Sequence, residues 1–253
     1  MVDTPDAVVI HELTAGYARH LALCGVSARI PASRITAVVG ANGAGKSTLL
    51  DVIAGVRPLI SGRVDRTGSG RPAYVAQRSD APAALPITVR NVVAMGRWAH
   101  RGPWRRLTAC DRAVVDDRMA QLGIQHLARA QLGALSGGQR QRVLVAQGLA
   151  QDADLLLLDE PAAGLDLQAR RSIDDALRTA GARGVTVLRV THDLGVAEHA
   201  DHCLLLHRGT VLAEGAPAEV LTPERVAEAW GVPAGQRTAT RPLASGMPDL
   251  RKK

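Results

Sequence analysis

Eight residues constrain this chain more than any others: Gly40-Ala41-Asn42-Gly43-Ala44-Gly45-Lys46-Ser47, followed at once by Thr48-Leu49-Leu50. They fit G-x-x-x-x-G-K-[ST], a pattern that wraps backbone around phosphate. Glycines Gly40, Gly43 and Gly45 let several N–H groups converge on one oxyanion with no Cβ in the way. A helix opening at Lys46 or Ser47 would aim its positive end at the same phosphates. Ile35-Thr36-Ala37-Val38-Val39 reads as a buried strand entering the loop, and Ser47–Ala54 as the helix leaving it. Strand, loop and helix in that order commit the chain to an α/β fold. Lys46 is also the only lysine before Lys252 and Lys253 in a chain whose basic residues are otherwise arginines. A site that needs a compact ammonium resists replacement by a planar guanidinium. The competing reading is a Gly/Ala-rich turn that matches by chance.

Length and composition narrow the rest. At 253 residues the chain can form one large α/β domain or two small ones, with a substantial core. Phenylalanine is absent, so Leu, Val, Ile and Ala must build that core. Apolar runs such as Leu155–Leu158 are far too short to span a bilayer. Met1-Val2-Asp3-Thr4-Pro5-Asp6 has neither the basic nor the apolar segment of a signal peptide. Cys24, Cys110 and Cys203 are scattered, which favours reduced thiols over a disulfide framework. The net charge of +7 suits nucleic acid or an anionic membrane surface, but the arginines are spread along the chain, so charge decides little.

Along the chain, Val8–Leu13 and Leu21–Ile30 alternate as strands, with Gly25 as a candidate bulge. Tyr17 lies between them, where its ring can stack on a nucleotide base or simply pack at a strand end. Gly62–Arg71 reads as a polar hairpin region, Ala73–Gln77 as a short strand ending in a glutamine, and Asp80–Pro86 as an extended linker. From Thr88 to about Leu132 the pattern is helical: a short helix around Val89–Met95, then Asp111–Leu122 and Gln125–Ala130. Leu135-Ser136-Gly137-Gly138-Gln139 precedes a helix to Ala150. Asp154–Glu160 reads as a strand buried on both faces and ending in two carboxylates, at the edge where α/β sheets bind ligands. A helix over Leu165–Ala180, a buried strand over Val185–Val190 ending at His192, a hairpin turning at Arg208-Gly209 and short helices to Trp230 follow.

Six motifs thus occur in a fixed order: Gly40–Ser47, Gln77, Leu135–Gln139 (LSGGQ), Leu155–Glu160, Gly164–Asp166 and His192. In this arrangement residues 8–230 resemble the ATP-binding subunit of an ABC transporter. The resemblance implies an α/β P-loop nucleotide hydrolase with a RecA-like core, an N-terminal antiparallel β subdomain and a helical subdomain at about residues 87–134. The ATP-binding domain would span residues 1–236, and a basic tail over 237–253 is expected to be flexible. Carried over residue by residue, it implies that Gly40, Asn42, Gly43, Gly45, Lys46, Ser47 and Thr48 cradle the phosphates of ATP, with Tyr17 on the base. Asp159, Ser47 and Gln77 would hold Mg²⁺, and Glu160 would be the base for the attacking water. Gln77 can approach both Mg²⁺ and that water, and His192 would contact the γ-phosphate. Ser136, Gly137, Gly138 and Gln139 would cap the ATP of a second copy, and Asp166 would lie at that dimer contact. Ala162-Ala163-Gly164 before Leu165 departs from the family's usual form, which touches only the dimer geometry.

The partners so implied are a homodimer, a transmembrane permease and a solute-binding protein, at the cytoplasmic face of the membrane. Pro86–Trp98 and Glu160–Asp166 are similar to zinc/manganese importers, with iron-siderophore, haem and cobalamin importers the nearest rivals through Met95-Gly96-Arg97 and His100. Soluble ABC ATPases acting on nucleic acid carry two cassettes or a long coiled coil; this chain has one cassette and no sustained heptads, so no nucleic-acid partner is expected. His199, His202, Cys203 and His207 cluster in sequence, yet the odd spacing of His202 and His207 on a strand points them to opposite faces.

Overall fold

The computed structural model describes residues 5–17, 20–68, 70–77 and 86–231. The predicted linker, except Pro86, and the predicted tail over 237–253 lie outside the described residues. Strand β1 (Asp6–Tyr17) pairs antiparallel with β2 (His20–Pro31). Both are longer than the alternation predicted, and Tyr17 belongs to β1 instead of following it. The two-residue period fails at Glu12, which sits at φ 47°, so the pattern ends before the strand does. Gly25, at φ 61°, lies where the register shifts between Leu13↔Val26 and Ala15↔Leu23, as a bulge there requires.

Strand β3 (Ile35–Val39) enters the glycine loop and helix α1 (Lys46–Ile53) leaves it. The hairpin predicted over Gly62–Arg71 is corrected: β4 (Ser61–Arg66) is an edge strand whose partner is β1, giving the sheet order β2-β1-β4. Its sequence is polar because only Val64 turns toward the core. Beyond β5 (Ala73–Val75) come α2 (Val89–Met95), α3 (Trp98–Arg101) and α4 (Ala109–Gln121). The helix predicted at Gln125–Ala130 is reduced to a 3₁₀ turn over Gln125–Leu127. Then follow α5 (Gly137–Leu149), β6 (Leu155–Asp159), α6 (Leu167–Ala182), β7 (Thr186–Val190) and α7 (Leu194–Ala197). The described chain closes with β8 (His202–His207), β9 (Thr210–Gly215), α8 (Pro217–Val220) and α9 (Pro223–Trp230).

The second sheet has the order β5-β6-β7-β3-β8-β9, parallel except for β9. Every residue of β6 and β7 is buried, because helices cover one face and the antiparallel sheet covers the other. Leu156 and Leu158 point to the core shared with α2, α4, α5 and α6, whereas Leu155 and Leu157 point to the core shared with α1 and the first sheet. Among the described residues no helix is long and apolar enough to cross a membrane.

Charge fixes the helical insert to the α/β core. Arg97, between α2 and α3, reaches Asp111 of α4 at 3.1 Å, the Ala150 carbonyl at 2.8 Å and Asp152 at 2.6 Å. Arg118 of α4 reaches Asp152 from the other side at 3.1 Å. Asp111 also accepts from the Thr108 N–H and hydroxyl, which, with Arg97 and Arg101, holds its carboxyl well below the usual carboxylate range. A group with a depressed folded pKa contributes stability above its unfolded value, near 3.8, and that contribution fades as pH falls through the folded value. Arg97→Met/Asp111→Leu is expected to lower the thermal midpoint more than Arg97→Met alone, because Asp111 keeps Arg101 and the Thr108 cap of α4 when Arg97 is gone, and the double change removes these too. Equal midpoints in thermal denaturation at pH 7 would mean that Asp111 contributes only through Arg97.

Candidate active site

The glycine loop is wedged between two strands. A Cβ on Gly45 would meet the Ala22 carbonyl oxygen of β2 at 2.5 Å, and one on Gly40 would meet the Leu206 carbonyl oxygen of β8 at 2.3 Å. Both residues have positive φ, 101° and 152° respectively, so glycine is required there twice over. The Gly209 N–H at the β8–β9 turn donates to the Ala44 carbonyl, and the Cys24 N–H of β2 donates to the Gly209 carbonyl. The loop is thus tied to both sheets, and α1 starts where it ends.

Lys46 is buried, and its Nζ donates to the carbonyls of Gly40 and Ala41, both at 2.9 Å. Burial pushes its pKa down, against the opposing pull of Glu160 and Asp159. Asp159, the last residue of β6, is buried too; burial pushes its carboxyl up, and a hydrogen bond with the Ser47 hydroxyl holds it down in part. One Asp159 oxygen, Oδ1, has no protein partner. Glu160 turns out of the strand at φ 47°. Its Oε2 accepts from Gln77 Nε2 at 2.8 Å, and its Oε1 lies 3.3 Å from His192 Nδ1. Gln77, Glu160 and His192 come from the ends of β5, β6 and β7, neighbouring strands of one sheet, which is why residues far apart in sequence meet at one edge.

Lys46, Gln77, Glu160 and His192 line a single open cleft of about 780 Å³ together with Tyr17, Gly40, Asn42, Gly43, Gly45, Ser47 and Thr48, whereas the buried Asp159 is not among the lining residues. Three further lining residues, His20, Ala22 and Trp230, escaped the sequence reading. Trp230 closes the last described helix, and the carbonyl of its neighbour Ala229 lies 3.1 Å from His207 Nδ1 of β8. No local motif marks it, because only the docking of α9 on β8 brings it to the cleft. Tyr17 has one ring face against Arg57, whose guanidinium carbon is 3.5 Å from the ring centroid.

Other candidates lie apart from this cleft. Ser136 caps α5: its hydroxyl accepts from the Gln139 N–H at 3.3 Å, and Gln139 Oε1 accepts from the Ser136 N–H at 3.0 Å. Gly137 and Gly138 form the first turn of that helix, and Asp166 caps α6 by accepting from the Ala169 N–H at 2.7 Å. None of these five lines the cleft described above. His199 and His207 spend a ring nitrogen on backbone carbonyls, His202 faces Glu214 at 3.8 Å and Cys203 is buried. Among the described residues no three His, Cys, Asp or Glu side chains converge as a metal site.

Comparison with known proteins agrees with this geometry. Residues 23–163 match the ABC transporter family. The zinc transport system ATP-binding protein TroB of Treponema pallidum (strain Nichols) is 42% identical over 235 residues, covering 90% of this chain and 88% of the relative. The achromobactin transport ATP-binding protein CbrD of Dickeya dadantii (strain 3937) is 37% identical over 228 residues, covering 85% of this chain and 84% of the relative. Among solved structures, an ABC transporter assigned to the metal-chelate type, in an inward-facing conformation, superposes with a TM-score of 0.79 at 30% identity, covering 89% of each chain. With the phosphate loop, the paired carboxylates at the β6 end and the capped LSGGQ helix all in place, this chain belongs to the ABC transporter family as an ATP-binding, ATP-hydrolysing subunit.

Proposed function

We propose that the chain powers import of a divalent transition metal, zinc ahead of manganese, by closing as a homodimer on two ATP molecules. The observation that carries the catalytic half of this reading is the Gln77–Glu160–His192 cluster beside the phosphate loop. In the proposed reaction Glu160 takes a proton from a water whose oxygen attacks the γ-phosphorus, while the bond to ADP breaks. Gln77 orients that water through the carboxylate it already touches, and His192 donates to the γ-phosphate. Lys46 neutralises the terminal phosphates, with loop N–H groups from Gly40 to Thr48 around them. Tyr17 takes the adenine.

The residues present fit Mg²⁺. Asp159 Oδ1 is buried without a protein partner beside the Ser47 hydroxyl, an arrangement of hard oxygen donors that a small hard cation satisfies. Ser47 and Asp159, with Gln77, would hold it; once bound, it offsets the phosphate charge. Ser136, Gly137, Gly138 and Gln139 would reach the nucleotide of the second copy, with Asp166 at that contact. Lys46→Ala is expected to lose ATP affinity by more than tenfold in equilibrium binding. Glu160→Gln should bind ATP normally, hydrolyse it at roughly 10⁻² of the wild-type rate or less, and accumulate as an ATP-bound dimer in gel filtration. Wild-type turnover by Glu160→Gln would remove it from the base role.

Docking to a permease at the cytoplasmic face of the membrane would use the helical insert. Trp104 is 93% exposed and Trp98 41%, set among Arg101, Arg105 and Arg106 in the sequence, with Arg97 turned inward to Asp111 and Asp152. Exposed tryptophans beside arginines have the composition of an interface centre. Cysteines placed at residues 98–104 are expected to crosslink to the permease, and cysteines on the opposite edge strand β4 are not. Equal crosslinking from both would end that assignment.

The metal cargo rests on the likeness of Pro86–Trp98 and Glu160–Asp166 to zinc/manganese importers and on the 42% identity to a zinc transport relative. The siderophore transport relative at 37% identity keeps an iron-chelate importer as the second reading. Cargo selection would fall to a solute-binding protein whose imidazole and carboxylate ligands discriminate metals. A strain lacking this subunit should stop growing in zinc-depleted medium and recover with added zinc. Normal zinc content with lost siderophore-iron uptake would transfer the assignment to the second reading.

A further inference from the structure

We propose that Arg57 is a positioning residue for the nucleotide base: it grips one face of Tyr17 and so holds the other face as the platform on which adenine stacks. The inference deepens the reading above and rests on the stacking role given there to Tyr17.

Tyr17 ends β1 and is 49% exposed. A half-exposed tyrosine at a strand end, with nothing behind it, would sample several rotamers, and stacking a base on it would first have to freeze one. Here the guanidinium lies 3.5 Å from the ring centroid, at cation–π distance. The arginine is itself held on three sides. Its Nη1 donates to the Gly16 carbonyl at 3.3 Å, and its Nε lies 3.5 Å from Asp51 Oδ2. Its backbone N–H donates to the Asp51 carbonyl at 3.1 Å. The other Asp51 oxygen, Oδ1, accepts from the Tyr74 hydroxyl at 2.9 Å. Arg57 is much less exposed than the ring it covers, at 22% of its side chain, so the contact is partly desolvated and correspondingly stronger.

Tyr17 lines the nucleotide cleft and Arg57 does not, so the ring face left uncovered is the one turned toward the cleft. A cation on one face also withdraws electron density from the ring, so the uncovered face favours an electron-rich purine over a second cation. Moreover, Asp51 belongs to α1, whose first residue is Lys46. The base platform and the phosphate cradle are therefore anchored to one helix, which fixes the span between the two ends of a bound nucleotide.

The test compares a non-hydrolysable ATP analogue with inorganic tripolyphosphate, which has no base, by isothermal titration calorimetry on the wild type, Tyr17→Ala, Arg57→Met, Arg57→Lys and Tyr17→Ala/Arg57→Met. Tyr17→Ala is expected to weaken the analogue by about tenfold, within the range for loss of one base stack. Arg57→Met should weaken it several-fold and leave tripolyphosphate unchanged, and Arg57→Lys should recover part of the loss. The double variant should bind no more weakly than Tyr17→Ala, since a residue acting only through the ring has nothing left to act on. Tyr17→Ala binding the analogue as the wild type does would sink the stacking role itself. Tyr17→Ala weakened with Arg57→Met unchanged, an additive double variant, or an equal loss of tripolyphosphate would each overturn the positioning role alone. Tripolyphosphate binding doubles as the check that each variant retains a folded phosphate loop.

Discussion

Everything in this structure depends on how closely the phosphate loop is wedged between two sheets. The Ala22 carbonyl of β2 sits where a Cβ on Gly45 would be, and it also crowds Gly209, at 2.7 Å from the Cβ that residue lacks. The Leu206 carbonyl of β8 does the same to Gly40. A loop that must open a ring of N–H groups toward an anion cannot satisfy those groups internally, so it needs support from outside. The antiparallel sheet and the β8–β9 turn supply that support. The N-terminal sheet thus does more than carry Tyr17: without β2, the loop would lose one wall.

This dependence explains which parts of the fold were legible in the sequence. The loop, the four-leucine strand β6 and the strand ending at His192 each carry a local pattern strong enough to read alone, and all three lie where that pattern predicts. The misread segments are those whose form is set by distant partners. Ser61–Arg66 is too polar to declare itself a strand, and becomes one only because β1 presents an unpaired edge. Gln125–Ala130 has helical spacing, but only Gln125–Leu127 closes into a turn, and Arg90 and Val89 donate to the carbonyls of Ala128 and Ala130. In the site, the motif residues were readable because their chemistry is local. Arg57, His20 and Trp230 were not, since nothing in their neighbourhood in sequence announces a ring, a cleft or a docked helix.

The electrostatics of the cleft show function set against stability. Asp159 binds its proton more tightly in the folded chain than an exposed aspartate would, so folding is progressively less favoured as pH rises through its range. Lys46 has the opposite shift, and the folded state loses stability as pH falls below the normal lysine range. At neutral pH both charges therefore cost folding free energy, and their mutual attraction offsets only part of the burial. Apolar residues of similar size would fold more stably. An acid and an ammonium kept at such a cost, beside a second acid at strained φ, point to chemistry that needs charge in a dry place.

The LSGGQ helix carries the complementary half of the argument for a two-chain sandwich. The Ser136 hydroxyl and the Gln139 amide oxygen are both committed to the capping box, so neither is required to fix the helix from outside. Gly137 and Gly138, immediately inside the cap, present N–H groups that have no acceptor within the helix. Around Gly137 there is open space, and around Gly138 only Leu165 and Ala169 side chains approach, at 3.7 and 3.9 Å. A thirteen-residue helix whose first two residues carry no side chain concentrates partial positive charge on an accessible surface. Yet this surface is not part of the cleft that holds Lys46 and Glu160. Within one copy, the cradle has an open side and the anion-binding helix has no phosphate to face. In the proposed sandwich of two copies both deficits would be removed together, and ATP would become the bond between them.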